Sequence, residues 1–220
     1  MTELEIMRQR HSVRQYADTP IEQDKRTALN ELADALNADA GVHIQIIYDE
    51  PKCFDSFMAH YGKFSGVKNY IALVGKKSPS LDEALGYCGE QLVLKAQELG
   101  LNTCWVAMTH GKSAAKVESG EKLVCLIALG YGEVQGVEHK SKPMTELCVC
   151  PEPMPEWFKA GMDAALLAPT AMNQQKFKFE LLPDGSVKAS CGTGFYTKLD
   201  LGIVRYLSLI HISEPTRQAE

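Results

Sequence analysis

Two apolar runs limit what this chain can fold into. VKNYIALVGKK, residues 67–77, and EKLVCLIALGYG, residues 121–132, are almost continuous in apolar residues, and glycine or lysine closes each. A strand of that kind offers no polar face and has to be covered on both sides, so both runs are read as buried strands. The longest helical pattern lies between them, in SLDEALGYCGEQLVLKAQELG. Leu85, Cys88, Leu92, Ala96 and Leu99 form one apolar stripe at helical spacing. Ser80 or Asp82 can cap this helix, and Gly100 can end it at the C′ position. NTCWVAM then enters a further strand.

The remaining segments fit around this unit. Residues 3–11 suit a short amphipathic helix, with Leu4, Ile6 and Met7 apolar, and Ser12 to Tyr16 alternates as an extended segment does. Thr19-Pro20-Ile21-Glu22 opens a helix that runs from Ile21 to Leu36, and GVHIQIIYDE, 41–50, is a strand. HKSKPMTEL is a loop. PEPMPEW, 151–157, is rich in proline and reads as a linker between two lobes, centred on 151–155. A helix (Glu156 to Leu167), a loop (APTAMNQQ), a strand (KFKFELL), a turn at Pro183-Asp184-Gly185, a strand (SVKASCG) and a final segment from Lys198 follow. The alternation predicts an α+β fold with a mixed or antiparallel central sheet flanked by helices. Gly130 and Gly132 lack the spacing of a dinucleotide-binding fingerprint, so a Rossmann fold is rejected.

With 220 residues, 45% of them hydrophobic, the chain can build one compact domain or two small lobes sharing a core. No apolar run reaches membrane-spanning length, and MTELEIMRQRHS carries acids where a signal peptide needs an apolar stretch, so a cytoplasmic protein is expected. A net charge of −5 argues against a general nucleic-acid binder. The seven cysteines are scattered among apolar residues and are read as reduced and mostly buried. Cys148 and Cys150 form a C-x-C pair with no second Cys/His pair nearby, so no metal site is expected. At the end of the chain LSLIHISEPTR, 207–217, resembles the translation of a transposon-based sequencing adapter. Residues 1–206 are therefore expected to form the native domain and 207–220 to be read-through, and His211 is not a candidate catalytic group.

Two segments carry chemistry. RQRHSVRQY, 8–16, concentrates positive charge in an acidic chain. If the chain leaves the helix at Arg10–His11 and continues extended, Ser12 and Arg14 point to one side. With Arg10 they would offer two guanidinium forks and a hydroxyl to a phosphate. A solvated helix end is the alternative. APTAMNQQ, 168–175, places Thr170, Asn173 and Gln174 between a helix and a strand. Uncharged donors and acceptors of this kind suit a planar heterocycle with imide edges. Here the alternative is an ordinary polar connection.

Together these segments resemble the nitroreductase family of FMN-dependent enzymes. R-H-S-V-R-x-Y resembles that family's opening R-x-S-x-R-x-[FY] signature, and A-P-T-A-M-N-Q-Q its A-P-[ST]-A-x-N-x-Q-P-W loop. LGLNTCWVAM is similar to its G-L-x-T-C-W segment, LIALGYG to its I-x-[IL]-G-Y-P strand end, and HKSKPMTEL to its R-K-P-L-x-E stretch. The order departs from the common pattern, because the A-P-T-A loop comes after residue 167 and not after the first long helix. In this the chain is similar to a thermophile-type nitroreductase subfamily. Lys176 and Phe177 stand where the family often has Pro and Trp.

The resemblance implies a nitroreductase-like fold, bound FMN, NAD(P)H as co-substrate, and a homodimer. It implies that Arg10, Ser12 and Arg14 bind the phosphate, the ribityl chain and the pyrimidine edge, with His11 beside them and Lys142 as a further phosphate ligand. Val106, Ala107 and Met108 would line the flavin, and Pro169, Thr170, Ala171 and Asn173 would border its ring. The reaction implied is ping-pong hydride transfer from NAD(P)H, through flavin N5, to a nitroaromatic, quinone or similar small-molecule acceptor. No protein nucleophile is needed, and Arg14 would support the reduced ring electrostatically. Other flavin chemistry on the same fold, and an FMN-binding or redox-sensing module without turnover, are the rival readings. Acceptor choice is expected to lie in loops 48–66 and 109–120.

Overall fold

The computed structural model describes the backbone of residues 1–213 and the side chains of residues 1–209. Helix α1 (Glu3–Gln9) opens with a capping box. Thr2 Oγ1 accepts the Glu5 N–H at 3.3 Å, and Glu5 Oε2 accepts the Thr2 N–H at 2.8 Å. Helix α2 (Gln23–Ala40) runs four residues past the predicted end, to Gly41, whose φ of 62° only glycine adopts without strain.

Four strands form the central sheet: β1 (His43–Ile47), β2 (Asn69–Lys76), β3 (Asn102–Val106) and β4 (Glu121–Gly130). Their order is β1-β2-β4-β3, and every pairing is antiparallel. The two continuous apolar runs are thus the two inner strands. Ile71 and Leu73 of β2 pack on one face with Leu85 and Leu92, while Tyr70, Ala72 and Val74 pack on the other with Phe54 and Phe64. Both faces are covered although no strand is parallel, which is why β2 reads apolar throughout. Each buried Ile, Leu, Val or Phe side chain on these faces stabilises the fold by about 1.5–3 kcal/mol relative to exposure.

Helix α4 (Leu81–Glu98) covers the first face. It starts after Ser80, whose side chain makes no capping bond, and ends before Gly100 at φ 77°. The loop expected at 48–66 contains a short helix, α3 (Phe57–Tyr61), capped by Ser56; five residues are too few to leave a periodic pattern. The segment expected as a loop at 139–147 ends in a single helical turn, α5 (Met144–Leu147).

A second, three-stranded sheet follows. Strand β5 (Cys148–Val149) pairs parallel with β6 (Phe177–Leu181), and β6 pairs antiparallel with β7 (Val187–Cys191) around the predicted turn. Helix α6 (Glu156–Ala165) precedes β6, and α7 (Thr197–Ser213) follows β7. With the short α3 set aside, the order helix, strand, strand, helix thereby occurs twice, as α2-β1-β2-α4 and α6-β6-β7-α7. Helices α4 and α7 meet at a reciprocal glycine contact. A Cβ on Gly86 would overlap the Leu199 carbonyl oxygen, and one on Gly202 would overlap the Glu83 carbonyl oxygen. Trp105 packs against two of the three core clusters, one in each half, and ties the halves together. Leu207 is buried in the second cluster on α7, and residues 214–220, part of the segment predicted as read-through, lie outside the described residues.

Among the described residues no helix is long and apolar enough to cross a membrane, and no group of three or more His, Cys, Asp or Glu is placed to hold a metal ion. Cys148 is buried and Cys150 half-buried, both as free thiols.

Candidate functional site

Past α1 the chain runs along the free edge of β3. Ser12 bridges Thr103 in parallel, and the Val13 N–H donates to the Thr103 carbonyl at 3.0 Å. The alternation expected from the sequence follows: Val13 enters the core, while Ser12 and Arg14 turn the other way into a cavity of about 500 Å³. That volume lies within the range of small-molecule sites. Arg14 is exposed, with its guanidinium carbon 5.8 Å from the Phe64 ring centroid.

The end of β3 and the residues after it form a second wall, with Cys104, Trp105, Ala107, Met108 and Thr109. Pro169, Thr170, Ala171 and Met172 form the third, and Tyr196, just before α7, closes the cavity with Leu199, Asp200 and Ile203 of α7. The walls come from both halves of one chain. Most of the lining is apolar, with a cation, hydroxyls and a carboxylate at separate points.

The loop after α6 is built under strain. Met172, Asn173 and Gln175 have φ of 51°, 52° and 45°. Each such residue costs on the order of 1 kcal/mol. Hydrogen bonds hold the loop in place. Asn173 Nδ2 and Gln175 Nε2 both donate to the Lys140 carbonyl at 2.9 Å. Gln175 Oε1 accepts the Lys142 N–H at 2.8 Å, and Thr170 Oγ1 accepts the Gln175 N–H at 3.1 Å.

Of the residues expected in the site, Ser12, Arg14, Ala107, Met108, Pro169, Thr170 and Ala171 line this cavity. The other five lie elsewhere. Arg10 is 4% exposed, with Nε 3.8 Å from Glu90 Oε1. The arginine pair expected to converge is thus split, because Arg10 turns into the core toward a buried carboxylate. His11 packs beneath Gly136, and its pKa is lowered by burial and by Arg10. Val106 is 1% exposed and packs in the core cluster that also holds Val13 and Cys104. Lys142 Nζ donates to the carbonyls of Gln174 at 2.9 Å and Gln175 at 3.3 Å. Asn173 faces Lys140, as above.

Sequence reasoning missed the α7 wall. Tyr196, Asp200 and Ile203 recur at helical spacing in FYTKLDLGIV, and an acid on an apolar stripe is the signal that marks them. It also missed Glu90, fully buried on α4 beneath Trp105, where burial pushes its carboxyl up to about 7.

A search among curated proteins finds no match. Solved structures do match. A protein described as a "putative nitroreductase" from Thermotoga maritima aligns over 99% of this chain and 86% of its own, with 21% identity and a TM-score of 0.69. Another, described as a "putative nitroreductase in complex with FMN" from Desulfovibrio desulfuricans, aligns over 70% of this chain and 99% of its own, with 21% identity and a TM-score of 0.56. A nitroreductase family protein from Clostridium difficile 630 aligns over 66% and 96%, with 17% identity and a TM-score of 0.53. At these identities the likeness is one of fold. The family profile described as "Putative TM nitroreductase" matches residues 3–212, and the chain belongs to that family.

Proposed function

We propose that the chain is an FMN-dependent oxidoreductase that uses NAD(P)H to reduce a nitroaromatic, quinone or similar acceptor. One observation carries the reading: a single cavity of about 500 Å³ brings Ser12 and Arg14 opposite Pro169, Thr170 and Ala171. These are the two segments whose residues suit a phosphate and a planar imide-edged ring. The walls between them are apolar and shaped by Trp105, Leu199 and Ile203. Such a site fits a flat ring with an anionic tail.

Bound FMN would accept hydride from NAD(P)H and return the electrons to the acceptor. The chain's own residues would bind and orient. Arg14, as a permanent cation at the cavity wall, would neutralise phosphate or the electron-rich edge of the ring, and Ser12 would add a hydroxyl donor. Trp105, Leu199 and Ile203 would exclude water from the ring. Thr170 and the main chain of 107–108 would supply polar contacts at its edge. Arg10 supports the site from behind, through Glu90 and Trp105, and Lys142 holds the loop. Neither is proposed as a direct phosphate ligand. Exposed Met108, Met172 and Phe195 lie among the cavity residues and would meet the incoming acceptor.

The test is a fluorescence titration of FMN into the protein, followed by NADH or NADPH oxidation with a nitroaromatic and with a quinone. Micromolar or tighter binding with acceptor-dependent oxidation supports the reading. Flavin that binds but does not turn over would make the protein a flavin-binding module, and no binding would remove the flavin reading.

A further inference from the structure

Helix α7 presents one acid to the cavity. Asp200 is 4% exposed. Its Oδ1 accepts the Ala171 N–H at 2.9 Å, and its Oδ2 accepts from the Gln174 side-chain amide at 2.8 Å. The same amide also donates to the Phe195 carbonyl at 2.7 Å. Both donors to Asp200 belong to the loop that holds the left-handed residues Met172, Asn173 and Gln175. The loop is therefore held by Asp200 through Ala171 and Gln174, and by Lys140 and Lys142 through Asn173, Gln174 and Gln175.

Burial pushes the Asp200 carboxyl up to about 6, against the opposing effect of its two hydrogen bonds. A folded-state pKa raised above the ordinary 3.8 means that ionisation opposes folding. The penalty is absent below about pH 4 and complete above about pH 6. A neutral side chain would spare the fold this cost. The two loop donors, however, favour the ionised form, which accepts at both oxygens, so for an acid that stays buried on α7 when the loop bonds break, protonation weakens the hold on the loop.

We propose that Asp200 is a positioning residue of the cavity: as a carboxylate it holds the 170–174 backbone in the strained conformation that borders the bound ring, and when neutral it releases that edge. The ligand in this statement rests on the flavin reading, whereas the hold on the loop does not.

The other ionisable groups around this cavity are Arg14 on the N-terminal segment, Cys104 on β3, Cys125 on β4 and Tyr196 just before α7. Burial raises both thiols and the phenol, so they stay neutral through the pH range concerned, and Arg14 stays charged. His139, His11 and Glu90 are the remaining groups to separate. The His139 ring nitrogen lies 3.0 Å from the Leu166 carbonyl, burial lowers the pKa of both histidines, and it pushes Glu90, bonded to Trp105, up to about 7.

The experiment is amide hydrogen exchange over residues 168–176 in flavin-free protein from pH 5 to pH 8, corrected for intrinsic rates, for wild type and Asp200→Asn. FMN affinity of both proteins at pH 7.5 is measured alongside. In wild type, protection of this segment is expected to fall about tenfold as pH drops through 6. Asp200→Asn is expected to show the low protection at every pH and to bind FMN about tenfold more weakly, with an unchanged or higher melting temperature at pH 7.5. Wild-type protection in Asp200→Asn would overturn the proposal, and so would an inflection near pH 6 that survives the substitution, since His139, His11 or Glu90 would then own it. If the variant does not fold, the wild-type profile decides alone, and a flat profile refutes the proposal. Failure of both proteins to bind FMN would refute the flavin reading while the exchange data still judge Asp200.

Discussion

Trp105 donates its indole N–H to Oε2 of Glu90 at 3.0 Å, from a residue on the cavity wall to one with no solvent exposure. The other carboxylate oxygen has no hydrogen-bond partner and faces Arg10 Nε at 3.8 Å. The cavity thus rests on a buried charge pair that connects α1, α4 and β3.

That pair makes Arg10 a residue of the core. Removing the cation leaves Glu90 buried alone, which is costly only while Glu90 is ionised. Burial raises Glu90 from 4.5 to about 7, so its ionisation opposes folding from about pH 4.5 upward and fully above about pH 7, while in the folded protein the charge is absent well below 7. Arg10→Met is therefore expected to cost roughly 3–5 kcal/mol at pH 8 and clearly less at pH 5.5. Urea denaturation at the two pH values checks this. An equal, small cost at both would place Arg10 outside the core pair.

Arg14 is the converse case. It is exposed and lines the cavity, and the structure gives it a ring contact with Phe64. Arg14→Ala is expected to change stability by no more than about 0.5–1 kcal/mol. FMN affinity is expected to drop roughly 10- to 100-fold, as for a lost charge-assisted contact. Calorimetric melting and flavin titration on the same preparation separate the two effects.

The α4–α7 seam can be probed without touching the cavity lining. Gly202→Ala would drive a methyl group into the Glu83 carbonyl, which is backbone and cannot swing away. The two helices must separate, at a cost of about 1–3 kcal/mol or more. For a chain of this size that lowers the melting temperature by roughly 3–10 °C. Scanning calorimetry reads the shift, and an unchanged melting temperature would mean that the helices are not in this close contact.

Much of the fold was legible because apolar periodicity reports burial directly. The inner strands β2 and β4, the stripe of α4 and the turn at Asp184-Gly185 were all readable in this way. The short α3 and α5 were not, since one turn of helix leaves no period. The pairing of strands into two sheets also depends on long-range contacts that no window contains. At the site, alternation correctly sent Ser12 and Arg14 away from Val13. It failed for Arg10, which lies just past the end of α1, where the position of Glu90, eighty residues further on, decides the direction of the side chain. Glu90 itself looks like an ordinary solvated helix acid in GEQLVLKAQ. Asp200 was hidden for the same reason: only tertiary packing makes an acid buried.

The cavity's identity as a flavin site is the central claim, and the direct test is an absorbance spectrum of the purified protein after incubation with FMN and desalting. The account predicts retained bands of oxidised flavin at close to one FMN per cavity, bleached anaerobically by NADH or NADPH. A desalted protein without flavin absorbance would contradict it, and Ser12, Arg14 and the 169–171 segment would then be a cavity for something else.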